Sequence, residues 1–171
     1  TIEYGVTFER AMQVELDQGR YVYISGTASI DNEGCIVCEL DLEGQVNRTV
    51  ENIAALLESC EMRLEDLMYV CIYLRDFNEE HRTRSCIQKL LPGNVPFVLL
   101  HAPVCRPGWL IEIDGLARKT SGPLSLKRPG YFFKSFGFFG PITIRLIIWK
   151  ELWKSGIAPS SCNPSGVVND S

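Results

Sequence analysis

Apolar residues recur with two different periods along the first 118 positions, and each change of period marks an element. Arg20-Tyr-Val-Tyr-Ile-Ser25 is rich in aromatic and β-branched residues and runs into Gly26, which predicts a strand. Asp31-Asn-Glu-Gly34 reads as a turn and Cys35–Leu40 as a returning strand. In Asp41–Cys60 the period becomes helical. Val46, Val50, Ile53, Leu56 and Leu57 fall three or four apart, and Glu43, Glu51 and Glu58 lie off that stripe. Leu67–Leu74 is almost continuously apolar, with the length of a buried strand. Asp76–Leu91 predicts a second helix, with Asn78 as N-cap and Glu79 and Glu80 in its first turn; Pro92-Gly93 ends it. Pro96–Val104 and Trp109–Ala117 are further strands on either side of Cys105-Arg-Pro-Gly108.

The predicted order is strand, strand, helix, strand, helix, strand, strand. Two helices then cover one face of a mixed sheet, an α+β fold whose other face stays bare in a single chain. Oligomerisation is the ordinary way to bury such a face in a chain of 171 residues.

Residues 119–171 read differently. Ser121-Gly-Pro123 and Arg128-Pro-Gly130 are breakers, and Tyr131–Gly140 is dense in aromatics. Ile142–Trp153 fits a short helix or a strand. Ser160–Ser171 is polar, with the composition of a disordered end. The chain therefore divides into 1–118 and a C-terminal extension, 119–171. Charge divides with it: residues 1–118 hold ten Lys and Arg against nineteen Asp and Glu, while 119–171 hold seven against two. A strongly acidic main domain argues against nucleic acid as a partner. No apolar run is long enough for a membrane span, and the seven irregularly spaced cysteines, without a secretory leader, point to a reducing cytoplasmic compartment. Cys35-Ile-Val-Cys38 has the spacing of half a zinc site or a redox dithiol. It lacks a second pair, and the histidines are His81 and His101, so neither a metal nor another cofactor is expected. His101 reads as a core or interface imidazole in an apolar strand.

Four groups of residues together resemble the YjgF family, also called the Rid or endoribonuclease L-PSP family. They are Phe8-Glu-Arg-Ala11; Ser25-Gly-Thr-Ala-Ser-Ile-Asp31; Gln45…Asn52-Ile…Leu56-Leu57 with Asp66…Ile72-Tyr-Leu-Arg-Asp76; and Val104-Cys-Arg-Pro-Gly-Trp-Leu-Ile-Glu-Ile-Asp-Gly-Leu-Ala117. The first, second and fourth look closest to the family's chorismatase-like branch. The resemblance implies a chorismate-mutase-like fold, a homotrimer, and a pocket between subunits that takes a small carboxylated metabolite. It also implies enamine/imine deaminase-like or chorismatase-like hydrolytic chemistry; a binding trimer without catalysis is the alternative.

The family places an acid on its last strand, and Glu112 matches it. Alternation in Leu110-Ile-Glu-Ile-Asp114 puts Glu112 with Leu110 and Asp114 on one face and Ile111 with Ile113 on the other. Apolar neighbours desolvate such a carboxyl and favour its neutral form, which suits acid–base work. The family's carboxylate-clamping Arg falls on Phe97 in an ungapped alignment, so that wall of the substrate site carries a phenyl ring and no guanidinium. Arg106, in a tight loop, is the substitute anion holder. Cys105 forms pocket wall, and Ser25, Gly26 and Thr27 offer backbone N–H groups or a hydroxyl to a ligand.

Overall fold

Residues 9–120 and 143–147 are described by a computed structural model. Their strands are β1 (Ala11–Leu16), β2 (Gly19–Thr27), β3 (Leu67–Leu74), β4 (Phe97–His101), β5 (Ile111–Lys119) and β6 (Thr143–Ile147); the helices are α1 (Leu42–Glu58) and α2 (Glu80–Leu90). One sheet has the order β4-β3-β5-β2-β1-β6, in which β3 and β4 are parallel and all other pairs antiparallel.

The helical stripe is confirmed: Val46, Val50, Ile53, Leu56 and Leu57 are all buried, against Val22, Ile24, Val70, Ile72, Ile111 and Ile113 of the sheet. Leu67–Leu74 is a strand with the expected ends, but only every second residue is buried. Val70, Ile72 and Leu74 face the helices, while Tyr69, Cys71 and Tyr73 face away. That second face is bare in the single chain. Tyr23, Tyr69, Val98 and Leu100 are 40–47% exposed, and Tyr23 and Tyr69 both lie opposite Leu116 of β5.

Three expectations fail. Cys35–Leu40 is a loop, joined to Ile30 by a single bridge at Ile36, because Gly34, Cys38 and Leu40 all take left-handed backbone angles that no strand accommodates. The strand that pairs with β2 precedes it: Ala11–Leu16, whose Gln13 and Glu15 hide its strand character. Asn78 caps nothing. The Asp76 carboxylate accepts from the Asn78 N–H at 3.0 Å and opens a 3₁₀ turn, Phe77–Glu79, so that the α-helix starts only at Glu80.

Within Ile142–Trp153 the strand alternative holds for Thr143–Ile147, which pairs antiparallel with β1 from Glu15↔Thr143 to Ala11↔Ile147. Part of the predicted extension thus joins the sheet. The expectations for Phe8, Ser121–Pro123, Arg128–Gly130, Tyr131–Gly140 and Ser160–Ser171 lie outside the described residues.

Candidate functional site

Between Ile24 and Thr27 the β2–β5 register slips. Three steps along β2, from Ile24 to Thr27, correspond to two along β5, from Gly115 to Ile113. This bulge at Ser25-Gly26 is fixed from three sides. The Ser25 N–H donates to Arg10 O at 3.0 Å, the Ser25 hydroxyl donates to Glu9 O at 2.7 Å, and the Thr27 hydroxyl donates to Ser25 O at 2.9 Å. Bulges re-aim the strand beside them, and this one brings the Gly26 backbone against the Glu112 side chain. A Cβ at position 26 would overlap the Glu112 Oε1, so glycine is what leaves the carboxyl its place.

Glu112 lies on the bare face, opposite Tyr73 in the β3–β5 register. The backbone N–H of Cys105 donates to its carboxyl. Burial pushes the carboxyl above its ordinary range, and Asp114 adds to that; the Cys105 N–H and the Arg10 charge pull the other way. Arg10 itself is 2% exposed, and its Nη1 reaches Gly26 O at 3.5 Å. Its pKa is lowered to about 10, first by burial and then by the Arg106 charge, with Glu112 opposing. Next along the face, Tyr73 donates its hydroxyl to Asp114 at 2.9 Å and is pushed up to about 12, chiefly by that bond. Burial, helped by Asp114, also raises the Cys71 thiol.

The loop that carries Cys105 and Arg106 is held by a residue the sequence did not single out. Arg75, just past β3, donates to Trp109 O at 2.6 Å, Val104 O at 2.8 Å and Arg106 O at 2.6 Å. The facing loop, 28–40, is held by buried polar residues of α1. Asn52 donates to Ala28 O and Ile30 O, and Arg48 donates to Ile30 O. Gln45 donates to Cys38 O and Gly108 O, and its Oε1 accepts from Leu110 N. The two loops meet in a small apolar cluster of Ala28, Ile30, Val104 and Trp109.

The structure therefore gathers Glu112, Gly26 and Cys105, with the Ser25–Thr27 bulge and Arg106 beside them. The Ser25 and Thr27 hydroxyls already donate to backbone carbonyls. Arg106 donates to Gly34 O at 2.7 Å and lies over the Trp109 ring at 5.2 Å, which ties it to the loop as well as to the site. Cys105 is exposed. Phe97 is not brought to Glu112. It pairs with Val70, shares the helix side with Leu99, and packs under the Arg84 guanidinium at 5.4 Å. The β4 residues on the Glu112 side are Val98 and Leu100. His101 is exposed, with Nε2 at 3.2 Å from Arg75 O. Cys35 carries a free thiol and is therefore not the disulfide partner of Cys38, which is bonded. Arg10, missed in the sequence, lies inside the quoted Phe8–Ala11 stretch; nothing in its spacing reveals that it meets β5.

Such a half-buried carboxyl, held by a fixed N–H beside a buried guanidinium, has the equipment to position a water or carry a proton. Among the described residues no three His, Cys, Asp or Glu side chains converge as metal ligands, and no helix is long and apolar enough to cross a membrane.

Comparison with known proteins agrees with this architecture. A RutC family protein of Pyrococcus abyssi is 34% identical over 102 residues, 59% of this chain and 80% of its own length. The crystal structure of a putative endoribonuclease from Thermotoga maritima superposes with a TM-score of 0.58 at 21% identity, covering 68% of this chain and 89% of that one. A chorismatase structure superposes with a TM-score of 0.58 at 25% identity, covering 63% of this chain and 35% of the chorismatase. The family model described as Endoribonuclease L-PSP matches residues 7–119, and the chain belongs to that family, the YjgF or Rid family, with the chorismatase among its structural relatives.

Proposed function

We propose that this chain forms a homotrimer that acts on a small carboxylated metabolite in a pocket between subunits, by enamine/imine deaminase-like or chorismatase-like hydrolysis. The observation that carries the reading is Glu112: a half-buried carboxyl, raised by burial and held by the Cys105 N–H, on a sheet face that a single chain leaves bare. A neighbouring subunit would cover Tyr23, Tyr69, Val98 and Leu100 and wall the site. Main-domain acidity argues against nucleic acid as a partner, and the proposal includes no cofactor. The test is turnover of carboxylated imines, enamines and cyclic enol ethers by the wild type and Glu112→Gln, which should differ by about a hundredfold or more.

One observation favours the alternative, a trimer that binds such a metabolite without converting it. Phe97–His101 carries no Arg on either face, so the family's clamp on this strand is missing. Ligand-induced melting shifts without turnover would select that alternative. For location we keep the cytoplasm. Among the described residues the thiols of Cys35, Cys71, Cys86 and Cys105 support it and the Cys38 disulfide opposes it; thiol counting on freshly isolated protein decides between them.

A further inference from the structure

We propose that Tyr73 is a specificity-determining residue of the Glu112 site: with its hydroxyl proton committed to Asp114, it presents an acceptor oxygen and selects a carboxylated ligand that brings its own N–H or O–H donor. The inference rests on the reading that a carboxylated metabolite binds beside Glu112.

Three observations lead to it. First, Tyr73 stands directly opposite Glu112 in the β3–β5 register, and Asp114 lies two positions further along the same face. The Tyr73 ring packs on the cluster of Ala28, Ile30, Val104 and Trp109, and its hydroxyl reaches Asp114 Oδ2 at 2.9 Å. Held at both ends, the side chain forms a fixed edge beside the Glu112 position. Second, a carboxylate only accepts, so the proton in this bond is the tyrosine's own. The bond holds that proton firmly: the phenol is pushed up to about 12, with the bond to Asp114 as the chief cause. Third, the β4 residues that pair with Cys71 and Tyr73 are Val98 and Leu100, whose side chains have nothing to donate.

What remains on the Tyr73 oxygen is acceptor capacity, half-buried, on a face that the proposed neighbouring subunit would close. Once water is excluded, an acceptor left without a donor costs a complex affinity. A ligand with an N–H or O–H group at this point meets the need, whereas a methyl group or an ether oxygen does not. Glu112 and Tyr73 thus divide the work. The carboxyl handles a proton or a water, and the tyrosine reads the hydrogen-bonding character of the ligand beside it. Enamines, protonated imines and hydroxylated enol ethers all carry such a donor, so Tyr73 selects among carboxylates rather than between those reaction types. Asp114 acts through Tyr73 and is a positioning residue, with Cys71 as a second side chain bonded to it.

The test compares carboxylates of matched shape that differ in a donor, bound to the full chain and measured by calorimetry: lactate against isobutyrate, and 3-hydroxybenzoate against 3-methylbenzoate. The wild type should favour the hydroxylated member of at least one pair by roughly tenfold. Tyr73→Phe keeps the ring in its cluster and should erase most of that preference. Asp114→Ala frees the Tyr73 hydroxyl to donate and should shrink the preference as well. A second readout needs no ligand: in Asp114→Ala, Tyr73 should ionise nearer the ordinary value of about 10, followed by phenolate absorbance and assigned by difference against Tyr73→Phe. Equal preference in the wild type and Tyr73→Phe overturns the proposal and leaves the proposed function standing. Failure of all four carboxylates to bind overturns the carboxylate site itself, and this inference with it. If Asp114→Ala does not fold, Asp114→Asn takes its place in the titration, and a Tyr73 that ionises as in the wild type overturns the claim that Asp114 holds its proton.

Discussion

Replacing Arg75 by methionine is the most direct test of how the site loop is held. The substitution keeps an unbranched apolar stem and removes the guanidinium that donates to Trp109 O, Val104 O and Arg106 O at 2.6, 2.8 and 2.6 Å. A hydrogen bond from a charged donor is worth about 1.5–3 kcal/mol. Three bonds from one guanidinium do not add independently, because the loop relaxes once the first is lost and water reaches the carbonyls. We therefore expect a loss of about 3 kcal/mol in total, a large share of the 5–15 kcal/mol that is usual for a domain. With a urea slope of about 1.5 kcal/mol per molar, the unfolding midpoint should fall by roughly 2 M. The measurement is made at one protein concentration, since any association adds its own stability. Hydrogen exchange should localise the change, with residues 103–110 exchanging faster and α1 unchanged. Lysine should restore little, because a point charge on a flexible stem does not reproduce the planar fork. A midpoint shift below about 0.3 M with unchanged loop exchange would refute the claim that Arg75 holds the loop.

The remaining predictions concern assembly, specificity and pH. Sedimentation at micromolar concentration should give three times the 19.3 kDa of one chain, and a clean monomer would remove the intersubunit pocket. Deamination of 2-aminoacrylate should be very slow; Val98→Arg, which faces the site, should raise it while Phe97→Arg, under Arg84, should not. Because burial raises the Glu112 carboxyl above its ordinary 4.5, its contribution to stability is full below that value and is lost as pH rises through the raised one. Glu112→Gln should accordingly flatten the fall in melting temperature over that window and melt no lower than the wild type at pH 7; a variant that melts clearly lower would mean the carboxylate is structural.

What the sequence revealed and what it concealed divide along the range of the interactions. The α1 stripe, the limits of β3 and the face of Glu112 follow from local periodicity, and local periodicity was enough to read them. Cys35–Leu40 deceived because its composition suits a strand, whereas three left-handed residues and the α1 side chains decide its path. An ungapped alignment run back from Glu112 puts Phe97 at the clamp position, but it crosses the β4–β5 loop. The register to β3 and β5 shows that an odd number of steps separates it from the site face. Arg10, Arg75, Gln45 and Asn52 act on backbone 16 to 65 positions away, and no spacing rule connects such partners.

The site lies where the ladder ends, and this explains why so much of it is backbone. In the middle of β5 each N–H and C=O is committed to β2 or β3, and side chains alone can differ between one protein and another. At its start, Glu112 stands beside the β2 bulge and the β4–β5 loop, where pairing has stopped and N–H groups such as that of Cys105 can turn to a side chain. The same geometry exposes the site to small errors, since the bulge and the loop have no ladder of their own. For the loops, Arg75 just past β3 and Gln45, Arg48 and Asn52 of α1 supply the missing partners. On the proposed function, chemistry at Glu112 would depend on these polar residues, which hold the loops around the carboxyl rather than the metabolite itself.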